Sequence, residues 1–191
     1  MPKRQKKKTG RSQREGKVRQ ASGVRLPPEI LAHLRRVGGL VTELRALASK
    51  EIVMPVEEIR LAAQLADEAG QDRLSQESVV FPLMVLAHDE NFHIRRVAIN
   101  AFRRIGRFDV AGLLDLLINK LDDPHPWVRY DAVWAIESAG TSRRDAIQAL
   151  RKLADGMKAL SPQEEQKMDQ GNASLRARLK AAQALQKITR R

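Results

Sequence analysis

The sequence predicts an all-α protein whose helices form pairs that stack into a solenoid. Apolar residues recur at helical spacing, with no convincing two-residue alternation. Aromatic residues make up only 4% of the chain, so the core must come from Leu, Ile, Val and Ala, a mixture that favours helices over a β-sandwich. The chain also resembles itself at a spacing of 34 residues, which is typical of helical repeat proteins.

The first 26 residues form a basic tail. They carry ten Lys or Arg residues and one Glu, and so account for +9 of the chain's net charge of +12. Almost nothing in this tail is apolar, so we expect it to be disordered when free. The repeat domain is then expected to span residues 27–191. Pro28 suits a first helical position. Gly38 and Gly39 are expected to bend or split the helix that follows.

Two segments, 89–106 and 123–140, are copies of one another. Identical or similar residues occupy seven equivalent positions: Asp89/Asp123, Ile94/Val128, Arg95/Arg129, Ala98/Ala132, Ala101/Ala135, Phe102/Ile136 and Gly106/Gly140. Weaker copies occur at 59–70 and 178–188, and the wider spacing before the last copy indicates an insertion near 156–172. Within this insertion, SPQEEQ at 161–166 has the pattern of a helix start.

Each copy predicts a second helix packed closely on a first one. The small Ala residues would let the helices approach, and Gly106 and Gly140 would end their helices. One pair cannot bury its own apolar face, so the pairs must stack.

This pattern of Asp, Val/Ile-Arg, Ala-x-x-Ala-apolar and Gly resembles the HEAT-like repeat of the phycobilin-lyase type. Pro82 resembles the proline that often kinks the first helix of such repeats. The resemblance implies a right-handed α-α superhelix, a HEAT-like solenoid of four to five helix pairs. It also implies that Asp89, Arg95, Asp123 and Arg129 form hydrogen bonds along the stack.

The basic tail is the clearest functional feature of the sequence. Clustered Lys and Arg neutralise phosphates without reading bases, so the tail is a candidate for binding nucleic acid or another polyanion. The alternatives are a solubilising tail or, in a eukaryote, a nuclear localisation signal. The candidate nucleic-acid-binding residues are Lys3, Arg4, Lys6, Lys7, Lys8, Arg11, Arg14, Lys17 and Arg19.

An aromatic cluster begins the second helix of the second copy. Trp127, Tyr130 and Trp134 lie there, and large rigid aromatics commonly anchor protein partners. Packing between repeats is the favoured role for Trp127, whereas the exposure of Trp134 stays open. The repeat alignment places cations of the preceding copy beside Trp134. The candidate partner-binding residues in the concave groove are Arg96, Asn100, Arg103, Tyr130 and Trp134.

Two catalytic hypotheses follow from resemblance to HEAT-like enzymes. HEAT-like alkylpurine DNA glycosylases use Trp, Asp and Arg, and Trp127 and Asp131 resemble part of that set, but no matching Arg follows. Asp131 is more simply an acid in the first turn of its helix. HEAT-like deoxyhypusine hydroxylases bind iron through His-Glu pairs, and none occurs here, so His88, Asp89, Glu90 and His93 suit an inter-helix turn better than a metal site.

We therefore expect a non-catalytic scaffold or adaptor with no metal, cofactor or catalytic residue. An alkylpurine-DNA-glycosylase-like or bilin-lyase-like protein is the alternative. No apolar run reaches the ~18 residues that span a bilayer, so no membrane association and a cytoplasmic location, or a nuclear one in a eukaryote, are expected. The partner and the oligomeric state stay open.

Overall fold

A computed structural model describes residues 26–50, 52–70, 73–155 and 172–190, and within these ranges the chain is helical with no strand. The helices are α1 (Pro28–Ala48), α2 (Pro55–Ala69), α3 (Arg73–Leu86), α4 (Phe92–Ile105), α5 (Leu113–Asn119), α6 (Pro126–Ala139), α7 (Arg144–Ala154) and α8 (Ala173–Thr189). A 3-10 turn, Lys120–Asp122, extends α5. No helix in these ranges is long and apolar enough to cross a membrane.

The helices are arranged in two layers. Helices α2, α4, α6 and α8 pack side by side in sequence order, and we call this row the second-helix layer. Helices α1, α3, α5 and α7 each pack on the helix that follows them, which gives four pairs in the described ranges. The predicted α-solenoid is therefore confirmed as the fold.

The repeated small residues are core residues. Ala98, Ala101, Ala132 and Ala135 are all fully buried, as predicted. They lie on α4 and α6, which pack against each other and against α3 and α5. Larger side chains at these positions would have to push neighbouring helices apart.

Glycines end α4 and α6 as the repeat pattern predicted. Gly106 and Gly140 adopt left-handed backbone conformations with φ of 72° and 61°. Their amides bond back to the carbonyls of Phe102 and Glu137. A residue without Cβ adopts this conformation at little cost, so the chain can turn towards the next repeat.

The Asp/Arg pattern connects consecutive repeats. The Arg95 guanidinium donates two hydrogen bonds to the Asp123 carboxylate, with Nε–Oδ2 and Nη2–Oδ1 distances of 2.9 and 2.8 Å. It also donates to the carbonyls of Asp89 and Glu90 in its own repeat. Both partners of the ion pair are buried. One arginine therefore fastens the turn of its own repeat to the turn of the next.

Arg129 repeats only half of this arrangement. Its Nη1 donates to the carbonyls of Asp123 and Pro124 at 2.8 and 3.1 Å, so the predicted link between Arg129 and Asp123 is confirmed through the backbone. The Asp123 carboxylate faces Arg95 instead. Towards the next repeat, the Arg129 Nη2 donates to the Ser174 hydroxyl at 3.4 Å.

The first helix differs from its sequence prediction. Helix α1 runs unbroken through Gly38 and Gly39, so the predicted split is wrong. Each glycine costs a helix about 1 kcal/mol, and packing of the buried Val37, Leu44 and Leu47 outweighs that cost. The basic tail up to residue 25, the expected helix start at 161–166 and nearly all of the insertion lie outside the described residues.

Candidate partner-binding surface

Three rows of polar and aromatic side chains lie on one surface of the second-helix layer. Each row has the three- and four-residue spacing of a helix face. We call the set the second-helix surface: His93, Arg96, Asn100 and Arg103 on α4, Trp127, Tyr130, Trp134 and Glu137 on α6, and Arg176, Lys180, Gln183 and Lys187 on α8. The α4 and α6 rows occupy equivalent positions of the repeat, so the repeat itself aligns cations with aromatics.

The aromatic row on α6 is ordered by edge contacts. The rings of Trp127 and Tyr130 lie 5.7 Å apart at 81°, and those of Tyr130 and Trp134 lie 6.1 Å apart at 76°. Trp134 is 38% exposed, whereas Trp127 and Tyr130 are half-buried. Edge-to-face contacts of this kind hold a ring in one orientation. Trp134 is therefore an exposed aromatic that contacts Tyr130 edge-on, which answers the question of its exposure that the sequence left open.

Cations from both neighbouring helices approach Trp134. The Arg103 Cζ lies 4.2 Å and the Lys180 Nζ 5.2 Å from the centre of its ring, within the range of cation–π attraction. Burial lowers the pKa of Arg103, with the neighbouring Arg104 charge acting in the same direction. Its Nε has no hydrogen-bond partner in the described structure. Arg103 is thus a half-buried guanidinium placed against an indole.

Glu137 compensates the lysines of α8. Its carboxylate lies 2.7 Å from the Lys180 Nζ and also binds Lys187. Burial alone would raise the pKa of Glu137, but the hydrogen bonds from both lysines outweigh it, and the net effect is a lowered pKa. Glu137 therefore stays ionised and fixes Lys180 beside Trp134.

A second network joins α2, α4 and α6. Arg96 donates from Nη1 to Glu58 at 2.6 Å and from Nε to Asp131 at 2.8 Å, and the His93 ring contacts Glu58 at 2.6 Å. The Arg96 guanidinium also lies over Trp127, 5.6 Å from the ring centre. Two carboxylates and an indole thus already occupy Arg96.

Asp131 differs from its sequence interpretation. It lies in the second turn of α6, because the helix begins at Pro126, so the reading as a first-turn acid is wrong. Its side chain is only 4% exposed, and burial raises its pKa to about 6 despite the attraction of Arg96. Asn100, whose amide donates to the Arg96 carbonyl at 3.1 Å, also bonds this carboxylate. Asp131 is an interior partner of α4.

The structure brings together all five residues that the sequence nominated for partner binding, Arg96, Asn100, Arg103, Tyr130 and Trp134, on one surface. Sequence reasoning missed Glu58, Glu137 and Lys180. The spacing of Lys180 and Lys187 on α8 could have indicated that they share a face, but no pattern marked Glu58. The nine tail cations nominated for nucleic-acid binding, Lys3 to Arg19, lie outside the described residues.

The cluster around His88 shows no metal-binding geometry. No group of three or more metal-ligating side chains occurs within the described ranges. Asp89 accepts a hydrogen bond from the Asn91 amide in the inter-helix turn, and His93 contacts Glu58. Asp89 thus fits the turn interpretation, whereas for His93 that interpretation is wrong, because His93 lies in the first turn of α4 and its ring faces α2.

Comparison with known proteins adds a family assignment for the centre of the chain. Residues 85–158 match the family described as HEAT repeats, a span that runs from the end of α3 through α7. No curated protein and no solved structure gave a significant match. The phycobilin-lyase subtype is not distinguished by this match and stays a prediction. The central residues 85–158 are therefore similar to HEAT repeats, and they lie within a HEAT-like α-solenoid.

Proposed function

We propose that this protein is a non-catalytic scaffold that binds a protein partner on the second-helix surface, while its basic tail contacts nucleic acid or another polyanion. The observation that carries the proposal is Trp134, an exposed indole in a row of ordered aromatics. Interface hot spots are enriched in Trp, Tyr and Arg, and all three residue types meet here.

The side chains around Trp134 favour binding because their neighbours already restrict them. Tyr130 and Arg103 restrict the indole, and Lys180 is restricted in turn by Glu137. A side chain that is already immobile loses little conformational entropy when a partner covers it. This supports an interface role for a large apolar side chain that otherwise remains in contact with water.

The charge distribution supports separate roles for the tail and the repeat domain. The tail carries +9 of the net +12, which leaves only +3 for residues 27–191. A polyanion is therefore attracted mainly to the tail. The repeat domain is close to neutral and better suited to a protein partner.

The enzyme alternatives gain no support from Asp131. An acid that acts on a substrate must reach it, whereas the Asp131 carboxylate is buried and bonded to Arg96. A glycosylase-like activity would have to displace Arg96 from Asp131, and with it the link from α4 to α6. This arrangement favours the scaffold function over the glycosylase hypothesis.

Site-specific photocrosslinking tests the scaffold proposal. A benzophenone amino acid replaces Ser138, which is exposed one turn beyond Trp134, or Gln148 on α7 as an exposed control. In nuclease-treated extract of the source cells, we expect Ser138 and not Gln148 to capture a defined protein. Trp134→Ala should then weaken binding of the purified partner at least about tenfold. Equal capture at both positions, or unchanged affinity, would refute the proposal.

A further inference from the structure

We propose that the partner segment covering Trp134 is acidic, and that Arg103 receives one of its carboxylates. This inference rests on the proposed scaffold function and names the chemistry of the partner. Three of the four arginines of α4, Arg95, Arg96 and Arg103, differ in how many acidic partners they have.

Two of these arginines are saturated and the third is not. Arg95 binds Asp123, and Arg96 binds Glu58 and Asp131, with distances of 2.6 to 2.9 Å. Arg103 has no carboxylate within 4 Å among the described residues, and its Nε has no acceptor. The Arg103 Cζ lies 4.2 Å from the centre of the Trp134 ring, and Asp131 attracts its charge without forming an ion pair.

The position of Arg103 suits a carboxylate. A planar guanidinium can stack on an aromatic face and still direct its N–H edge at a carboxylate in a two-bond arrangement. Burial already lowers the pKa of Arg103, so its charge is incompletely solvated. The Asp131 carboxylate attracts this charge but forms its ion pair with Arg96, so an incoming carboxylate would supply a direct counter-charge and a hydrogen-bond acceptor.

The rest of the surface has the same sign. Arg176 on α8 also has no carboxylate within 4 Å in the described ranges, and its Nε lacks an acceptor. The acids of this surface are occupied, since Glu58 and Asp131 bind Arg96 and Glu137 binds two lysines. The surface therefore offers uncompensated positive charge and no uncompensated negative charge. Charge complementarity selects an acidic segment.

An acidic peptide fits this surface better than a nucleic acid strand. A protein that binds duplex DNA can make about 6–10 phosphate contacts, more than the two uncompensated arginines of this surface. A base would also compete with Arg103 for the indole. A short segment of alternating acidic and apolar residues suits this surface. Its carboxylates can bind the arginines, and an apolar side chain can pack on Trp134.

The test uses the full chain and two fluorescent 16-residue peptides of identical design, one alternating Glu and Leu, the other Gln and Leu. Affinities are measured by anisotropy for the wild type, Arg103→Gln, Trp134→Ala and Arg151→Gln. Arg151 is an exposed arginine of α7, so its replacement changes the net charge equally at a site outside the second-helix layer. The basic tail also attracts the acidic peptide, so affinities are compared at about 200 mM salt, which weakens binding to the tail, and the tail is identical in all four proteins. Circular dichroism confirms that each variant is folded.

We expect the Glu peptide to bind Arg103→Gln and Trp134→Ala about tenfold more weakly than the wild type, and Arg151→Gln nearly unchanged. The Gln peptide should bind weakly to all four. Arg103→Lys, which keeps the charge and loses the planar fork, should lie between wild type and Arg103→Gln.

Two results would overturn the inference. If the Glu peptide binds Arg103→Gln as tightly as Arg151→Gln, the partner is not recognised by its acidity, although capture at Ser138 would leave the scaffold function standing. If a 20-nucleotide oligothymidine, measured in parallel, loses affinity with both Arg103→Gln and Trp134→Ala while the Glu peptide does not, the surface binds nucleic acid. Failure of capture at Ser138 would reject the scaffold function itself.

Discussion

Replacing Asp123 by Ala tests the link between consecutive repeats. The carboxylate accepts two hydrogen bonds from Arg95 and one from the His125 amide, and the Lys120 Nζ lies 3.7 Å away. Without it, Arg95 keeps its two carbonyl acceptors, but its Nε and Nη2 remain buried without acceptors. Breaking a buried ion pair from one side costs about 3–5 kcal/mol, and the retained carbonyls place this variant near ~3 kcal/mol.

The assay is thermal and guanidinium unfolding of Asp123→Ala beside a matched control. For a chain of this length ~1 kcal/mol corresponds to roughly 2–4 °C, so the melting temperature should fall by about 6–12 °C. Asp122→Ala is the control, because that neighbouring carboxylate is 70% exposed and binds an equally exposed Lys152. Its replacement should cost about 0.5 kcal/mol or less.

The effect of Asp123→Ala should depend on pH. Burial alone would raise the pKa of Asp123, but the bonds from Arg95 and the His125 amide outweigh it, so its pKa lies below the ordinary 3.8. A group with a lowered folded-state pKa stabilises the protein above its unfolded-state pKa, and this contribution disappears as pH falls through the folded-state value. The difference from wild type should therefore be full at pH 7 and shrink below pH 3.8. Equal unfolding free energies of the Asp122 and Asp123 variants at pH 7 would refute the reasoning.

Three further predictions concern packing, charge burial and the tail. Ala132→Leu should destabilise the fold by about 1–3 kcal/mol, because the fully buried Ala132 side chain leaves no room between helices; an unchanged melting temperature would contradict this. Burial raises the pKa of Asp131 to about 6, so its contribution to stability is full below pH 3.8 and is lost as pH rises through 6. Asp131→Asn should therefore gain stability relative to wild type between pH 4 and 7, on the order of 2 kcal/mol in guanidinium unfolding, and a pH-independent difference would count against the burial argument. Deleting residues 1–26 should leave the fold intact and remove most nucleic-acid binding; with ~6 phosphate contacts, wild-type affinity should fall about a thousandfold between 50 and 200 mM salt, and an unchanged salt slope after deletion would exclude the tail.

Much of the fold follows from local features that the sequence repeats. Ala98 and Ala132 occupy equivalent positions between packed helices, and both are buried. Gly106 and Gly140 occupy equivalent helix ends, and both adopt the left-handed conformation that turns the chain. Equivalent positions in two repeats have the same packing environment. A residue type that occurs in both copies therefore indicates a structural requirement of the repeat. The same reasoning identified Trp134 and Arg103 as neighbours.

Other contacts depended on the distance and rotation between helices, which a local pattern does not contain. Gly38 and Gly39 remain helical because the packing of α1 outweighs their poor helix propensity. The Asp123 carboxylate pairs with Arg95 of the preceding repeat and not with Arg129 of its own, because the arginine side chain spans the gap between neighbouring turns.

Three features follow from the sequence alone: the stacked helix pairs, the bounds of the two most similar copies and the burial of their small residues. The packing of the helices adds that Trp134 is exposed, that Glu58 and Asp131 meet on Arg96, and that Arg103 has no carboxylate within 4 Å among the described residues. Helical periodicity fixes which side chains share a face of one helix. Whether a charge on that face finds a counter-charge depends on the neighbouring helix, whose residues here lie 28 to 38 positions away along the chain.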